Sequence, residues 1–312
     1  MQVCFGIQQL PPIAASVVTI GSFDGVHFGH QQIIKKVVTE AQKRQILSIV
    51  VSFEPHPRVF FNPQEKVPLL TSTAEKADLL ANLGVDILLV MEFNADFANL
   101  SAEDYIADFL VKNLSPKLIV IGYDHHFGRQ RRGNLDFLKN RSEFFGYEVE
   151  EIAPRDVDNL VVSSTKIRNF LSKKQIEQAN KLLNHNFSLS GTVVKGQQIG
   201  HKIGFPTANL SIAESQKLVP PEGIYVAMAV LNRQKYKAML YIGRRPTLDN
   251  NLAQTIELHI FDFTQDIYFQ PLRIELLAHL REDKKLSNLQ ELTAQLEEDK
   301  RQSLLFFENY QL

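Results

Sequence analysis

Gly21-Ser22-Phe23-Asp24-Gly25-Val26-His27-Phe28-Gly29-His30 joins two segments of different period. Before it, residues 15–20 are β-branched and apolar, the pattern of a buried strand. After it, Ile33, Ile34, Val37, Val38 and Ala41 fall on one face of a helix. A strand that runs directly into a helix places the ten residues at the carboxyl edge of a sheet. Ligands bind at that edge in α/β proteins, and the free amides of a helix N-terminus attract phosphate. Gly21, Gly25 and Gly29 let the backbone turn tightly and approach an anion. His27 and His30 lie one helical turn apart, so both rings can face the same phosphate. A zinc site would need a third or fourth ligand at suitable spacing, and none is obvious nearby.

The rest of the chain sets limits around this stretch. With 312 residues, 44% hydrophobic and 22% charged, it has the composition of a globular protein with room for two domains. A formal net charge of −1 gives no electrostatic case for nucleic acid as a partner, so phosphate binding must come from local sites. The single cysteine, Cys4, excludes an internal disulfide and fits a reducing compartment. No window approaches a membrane span and no basic segment precedes an apolar run at the start. A cytoplasmic protein with no membrane partner, and a monomer, is expected.

Further apolar strands are expected at residues 45–53, 85–90, 117–121 and 147–152, with capping boxes at Ser72–Glu75 and Ser101–Asp104 opening helices between them. Strands alternating with helices predict a doubly wound parallel sheet. Three loops on this frame carry chemistry. Phe53-Glu54-Pro55-His56-Pro57 is a rigid extended turn able to aim His56 or Phe53. Gly122-Tyr123-Asp124-His125-His126-Phe127-Gly128, with Arg129, Arg131 and Arg132 behind it, shares the sheet edge of the first loop. Its arginines suit a phosphate chain, and Asp124 suits a ribose hydroxyl or a base. Ser163-Ser164-Thr165-Lys166-Ile167-Arg168 follows the polar loop at 154–159 and brings hydroxyls, helix amides and a guanidinium to one anion.

Beyond a short helix around Ile176–Leu183 the pattern changes. Alternating runs at 225–231, 236–242, 255–261 and 272–277 predict a small antiparallel barrel, and a last helix carrying Leu289, Leu292 and Leu296 packs against it. The domain boundary is placed at 185/186. Within the barrel, Gly191-Thr192-Val193-Val194-Lys195-Gly196 leads to Gly200-His201-Lys202-Ile203-Gly204-Phe205-Pro206-Thr207-Ala208-Asn209. The glycines and lysines make a flexible cover for a triphosphate, with no Walker motif. Thr207 and Asn209, alternate residues on an extended segment, can share a Mg²⁺ ion. In 255–260 alternation puts Glu257 and His259 on the face opposite Ile256, Leu258 and Ile260.

These strings together resemble the bacterial bifunctional riboflavin kinase/FAD synthetase family, over essentially the whole chain. The first loop is similar to the HxGH signature of nucleotidylyltransferases, which attack the α-phosphate of ATP and release pyrophosphate. The FxPHP turn, the GxDFxFG loop and the Ser/Thr stretch match in order, with His125 standing where phenylalanine is usual. The glycine-rich string resembles the kinase signature ending GFPTAN, with His201 in place of arginine, and Glu257 matches a strand whose glutamate acts as base. Tyr241 for asparagine and Phe269 for glycine are further departures. The resemblance implies an N-terminal Rossmann-like adenylyltransferase (1–185) and a C-terminal β-barrel riboflavin kinase (186–312). It implies two reactions, riboflavin and ATP to FMN, then FMN and ATP to FAD.

On the same ground His27, His30 and Arg168 are expected to act in adenylyl transfer and Asn209 and Glu257 in the kinase. Gly21, Ser22, Phe23, Asp24, Gly25, Gly29, Gly122, Asp124, Ser163, Ser164 and Thr165 would bind the first ATP. Gly191, Val193, Gly196, Lys202, Gly204, Phe205, Pro206, Thr207 and Arg281 would hold ATP or flavin in the barrel, and Thr207 and Asn209 the Mg²⁺. Two other readings of the residues are a chain with one active half, and a non-catalytic flavin or single-strand RNA binder. The latter would want a basic groove with stacking aromatics.

Overall fold

The computed structural model describes residues 1–62, 64, 67–153, 156–157, 160–196, 200, 203–246 and 252–310. The chain forms two compact units, Met1–Ser164 and Thr165–Leu312. His201 and Lys202 lie outside the described residues.

The first unit is built on six strands: β1 (Gln2–Phe5), β2 (Ser16–Ile20), β3 (Leu47–Glu54), β4 (Ile87–Glu92), β5 (Pro116–Gly122) and β6 (Glu148–Ile152). Their order is β1-β4-β3-β2-β5-β6, and every pairing is parallel. The chain thus winds outward from β2 to one side, then returns to lay β5 against its other flank. The carboxyl ends of β2 and β5 flank this switch point, the crevice where open α/β sheets bind ligands. The expected doubly wound sheet is present, with β1 as an added edge strand that the pattern reading passed over.

Parallel strands are covered on both faces, and the core shows it. Val18, Ile20, Ile49, Val51, Leu89, Ile119 and Ile121 pack with Tyr105, Ile106, Phe109 and Leu110 on one side. On the other, Val17, Leu118 and Val120 meet Val37 and Ala41 of α1 (Phe28–Arg44), and Val50, Leu88 and Val90 meet Ile34 and Val38. The helix Thr73–Asn82 opens with the expected capping box, Ser72 accepting from the Glu75 amide and Glu75 from that of Ser72. The extended turn expected at Pro55–Pro57 differs in part. Pro57 begins a short helix, Pro57–Phe61, because its fixed φ suits a first helical position, and His56 caps it by accepting from the Arg58 amide.

In the second unit β9 (Ser188–Val194), β10 (Ala208–Ser211), β11 (Gly223–Leu231), β12 (Gln234–Pro246), β13 (Leu252–Ile260) and β14 (Pro271–Arg281) close a barrel in the order β10-β13-β12-β11-β14-β9. All pairings are antiparallel. A short hairpin, β7 (Asp156–Val157) with β8 (Leu160–Val161), belongs to the first unit. Closure leaves no strand edge exposed. Tyr225, Ala227, Ala229, Leu240, Leu258, Ile274 and Leu276 are fully buried.

The C-terminal helix, Leu289–Asn309, packs as expected, with Leu296 against the barrel core and the same face continuing through Asp299, Ser303 and Phe307. Leu289 is 54% exposed, whereas Asp299, Ser303 and Phe307 are buried at i, i+4 and i+8. A hydrophobic pattern does not carry the face beyond Leu296 because its next two buried members are polar. The Asp299 carboxylate receives Arg281 Nε at 2.7 Å and Nη2 at 2.6 Å, with Gln295 Nε2 at 2.7 Å. Arg281, expected to reach a ligand, thus has two of its guanidinium nitrogens committed to holding this helix on β14. Removing one partner of such a buried pair strands the other charge and costs about 3–5 kcal/mol. Asp299→Ala is expected to destabilise the second unit by about 3 kcal/mol in urea unfolding.

Candidate active sites

The loop after β2 turns by means the glycine pattern did not suggest. Phe23 (φ 45°), Gly25 (φ 82°) and Val26 (φ 38°) are left-handed. Left-handed Phe and Val cost free energy and persist only when packing over-determines them. Here Phe23 and Val26 are sunk among Ile34, Val50, Leu80 and Leu88. Asp24 is buried as well, and its Oδ1 accepts from the Leu70 amide at 2.9 Å and the Thr71 amide at 3.1 Å. Thr71 Oγ1 in turn accepts from the Gly25 amide, and Ser164 Oγ donates to the Asp24 carbonyl at 3.0 Å. Asp24 and Gly25 therefore brace the loop from behind, while Gly21, Ser22, Phe23 and His30 line the cleft in front.

His27 caps α1, its Nδ1 accepting from the His30 amide at 3.3 Å. The two imidazoles stack, centroids 3.5 Å apart and planes 17° from parallel, so the spacing read from sequence does bring the rings together. Gly29 lies in the first turn of α1 beside the His27 ring. Burial, then the neighbouring His27 and Lys76, hold the His30 pKa well below the usual imidazole value, so His30 is neutral at pH 7.

Lys76 was not anticipated. It sits in the helix behind the capping box, is 7% exposed, and donates from Nζ to the Ser22 carbonyl at 2.8 Å and Ser52 Oγ at 2.7 Å. Burial draws its pKa down to about 8, against the opposing pull of Asp24 and Glu54. It pins the first loop to β3 and places positive charge beneath it. Nothing in its local sequence marks it, since lysine in a helix is ordinarily solvated.

The cleft holds about 910 Å³ and reaches from Gly21, Ser22 and His30 to the β5 loop, where Gly122, Asp124, His125 and Arg129–Arg131 line it. Its remaining wall is aromatic. Phe53, Phe60, Phe61, Phe93 and Phe97 form a continuous edge-to-face cluster with neighbouring centroids 5.3–5.9 Å apart. Phe97 continues this to Tyr105, which stacks on Phe127 at 4.7 Å, and His125 stacks on Phe127 at 5.8 Å. Sequence reading named only Phe53, His125 and Phe127 among these, because the others come from separate elements and have no shared spacing. Ser163 precedes, and Ser164 opens, the helix Ser164–Ser172, with Thr165 and Arg168 on its first and second turns. Ser164 belongs to the first unit, and Thr165 and Arg168 to the second.

In the barrel, register does what spacing alone could not. Asn209 on β10 pairs with Glu257 on β13 and with Val194 on β9. Thr207 Oγ1 donates to Glu257 Oε2 at 3.3 Å, so Thr207, Asn209 and Glu257 form one oxygen-rich group. Gly196 follows β9 against the Asn209 amide, and any Cβ there would collide with it. Val193, Pro206 and Thr207 line a pocket of about 470 Å³ that continues to Phe263–Tyr268. Lys195 lies over the Tyr268 ring at 6.0 Å.

Other expected residues are structural in what they touch. Phe205 packs on His259, whose Nδ1 bonds the Pro206 carbonyl at 2.8 Å, and Gly204 turns with φ 82°. Gly191 lies on β9 against the Ser211 carbonyl of β10. Tyr241 lies over Gly243 and donates to Asp283 Oδ2 at 3.0 Å. Phe269 is 70% exposed with φ 63°, a conformation its glycine equivalent adopts without strain.

A Rossmann-type unit with an HxGH loop at its switch point, followed in the chain by a closed barrel with Thr207, Asn209 and Glu257 in register, defines a two-module nucleotide-dependent transferase. The family described as FAD synthetase matches residues 11–166, and that described as riboflavin kinase matches residues 183–307. A bifunctional riboflavin kinase/FMN adenylyltransferase of Pseudomonas fluorescens is 35% identical over 300 residues, covering 96% of each chain. Its counterpart in Escherichia coli (strain K12) is 34% identical over 310 residues, 98% of each. A crystal structure described as a macrolide-efflux protein from Streptococcus pneumoniae superposes with TM-score 0.86 at 31% identity, covering 96% of this chain and 97% of that one. No described helix here is long and apolar enough to cross a membrane. The chain belongs to the bifunctional riboflavin kinase/FMN adenylyltransferase family.

The first unit carries a built-in acid sensitivity. Burial, with His126 adding to it, lowers His125 from 6.5 to about 4. Between these values the unfolded chain holds a proton that the folded chain does not, so stability falls as pH falls through the window. His30 acts in the same direction. Thermal melts are expected to show a lower midpoint at pH 5 than at pH 7, with a smaller drop in His125→Phe.

Proposed function

We propose that this protein makes both flavin cofactors: it phosphorylates riboflavin with ATP to FMN, then adenylylates FMN with a second ATP to give FAD and pyrophosphate. The observation that carries this reading is that each half assembles its own motif residues, His27 against His30 at the switch point and Thr207 against Glu257 in the barrel. We assign adenylyl transfer to residues 1–185 and the kinase to 186–312, in keeping with the two family matches.

In the first reaction the Glu257 carboxylate takes the proton from the riboflavin 5′-hydroxyl as that oxygen attacks the γ-phosphorus, and ADP leaves. Thr207 and Asn209 offer oxygen ligands beside that carboxylate, the donor set that suits Mg²⁺, whose role when bound is to neutralise phosphate charge. No group of three His, Cys, Asp or Glu side chains suited to a metal occurs among the described residues.

In the second reaction an FMN phosphate oxygen attacks the α-phosphorus of ATP and pyrophosphate leaves, without a covalent enzyme intermediate. His30, neutral, donates a hydrogen bond to the α-phosphate together with His27. Ser164, Thr165 and Arg168 hold the departing pyrophosphate. The aromatic wall of the cleft takes the isoalloxazine ring, and charge stabilisation with in-line positioning supplies the rate. The protein acts as a cytoplasmic monomer.

A chromatographic time course with riboflavin, ATP and Mg²⁺ tests the scheme: FMN appears first and FAD follows. His30→Ala is expected to abolish FAD formation, by at least about a hundredfold, while FMN formation continues. Glu257→Ala should do the reverse when FMN is supplied. Loss of both activities in either folded variant would refute independent sites.

A further inference from the structure

We infer that His125 reads the polar edge of the flavin ring in the adenylyl-transfer cleft, as a hydrogen-bonding specificity residue. The inference rests on the proposed function and adds to it a contact for which the aromatic wall alone has no means. Its Nε2 is enclosed and has no hydrogen-bond partner among the described residues, while its ring lines the cleft. A buried polar atom without a protein partner is uncommon and calls for an explanation, of which a ligand group is one.

The surroundings narrow the ligand. His125 ends the stack that runs through Phe127 and Tyr105 to Phe97 and on to Phe53, Phe60, Phe61 and Phe93. A wall of that extent fits a tricyclic ring better than a purine. Features that suit phosphate stand at Ser22, His27 and His30 of the first loop and at Arg129 and Arg131 after the β5 loop, and none of them pairs with His125 Nε2. A flavin laid along the wall has one edge in need of polar partners, the pyrimidine ring with two carbonyl oxygens and an imide N–H. Phe127, on which the His125 ring stacks, cannot meet that need, because phenylalanine has no polar atom. The imidazole of His125 meets it with either tautomer, donating to a carbonyl or accepting from the imide. The loop is also held where the reading requires. The His125 amide donates to the Gly122 carbonyl at 3.1 Å, and Phe127 and Gly133 exchange backbone hydrogen bonds at 3.1 and 2.9 Å.

His125→Phe keeps a ring of similar shape and removes the enclosed nitrogen, so the fold is expected to survive, with a melting midpoint at pH 7 no lower than that of the unsubstituted chain. In adenylyl-transfer kinetics the variant should raise KM for FMN about fivefold, the factor one net neutral hydrogen bond supplies, with KM for ATP and kcat within twofold. In calorimetric titration of the full chain with FMN alone, the barrel serves as an internal control: of two FMN sites, one should weaken about fivefold and the other stay unchanged. A rise in KM for ATP instead would assign His125 to the adenine and overturn the inference. Unchanged FMN parameters in both experiments would overturn it as well. If the unsubstituted chain binds FMN and forms no FAD, the proposed function fails, and the titration still decides the role of His125.

Discussion

A single buried carboxylate organises the first unit. Asp24 accepts from two consecutive backbone amides, Leu70 and Thr71, and those bonds let a loop with left-handed Phe23 and Val26 hold its shape. The strain must be offset locally, since the loop has to end in a helix N-terminus that carries His30 at the wall of the crevice. Packing of Phe23 and Val26 under α1 supplies part of this, and the Lys76 ammonium supplies more by tying Ser22 to Ser52. Rigid support behind a catalytic loop is what electrostatic catalysis needs, because dipoles already in place cost no reorganisation when charge develops.

The barrel reaches the same end by different physics. Its chemistry sits on strands rather than on a loop, so strand register does the positioning. Asn209 opposite Glu257, with Thr207 two residues earlier, is a consequence of β10 filling the gap between β9 and β13. A register slip of one residue would turn Glu257 to the opposite face. Closure of the barrel and the clamp of the C-terminal helix through Arg281 and Asp299 work against such a slip. Hence an arginine that pattern comparison assigns to the ligand can serve the site from a distance, by holding the wall.

Much of this was legible beforehand. Doubly buried parallel strands advertise themselves as continuous apolar runs, and β2 to β6 were found within a few residues of their ends. The histidine pair was legible because both members sit on one helical turn. The aromatic wall was not: Phe60, Phe93, Phe97 and Tyr105 come from separate elements, and no spacing relates them. Lys76 was hidden for a similar reason, as only the packing of its helix onto β3 turns an ordinary surface residue inward. The buried face of the last helix was legible only as far as Leu296, because Asp299 and Ser303 interrupt the apolar pattern beyond it.

The sequence by itself determined the two modules, their order, and the motifs each carries, because those depend on short-range periodicity and on strings contiguous in the chain. Tertiary structure alone decided which of their residues line the cleft and which brace the loop behind it. Asp24 and Arg281 were read as ligand-binding and are engaged by protein partners, while Lys76 and Tyr105 went unread and shape the cleft. The reason is that a side chain's role follows from what stands opposite it, and partners 18 to 54 residues apart are brought together only by the fold.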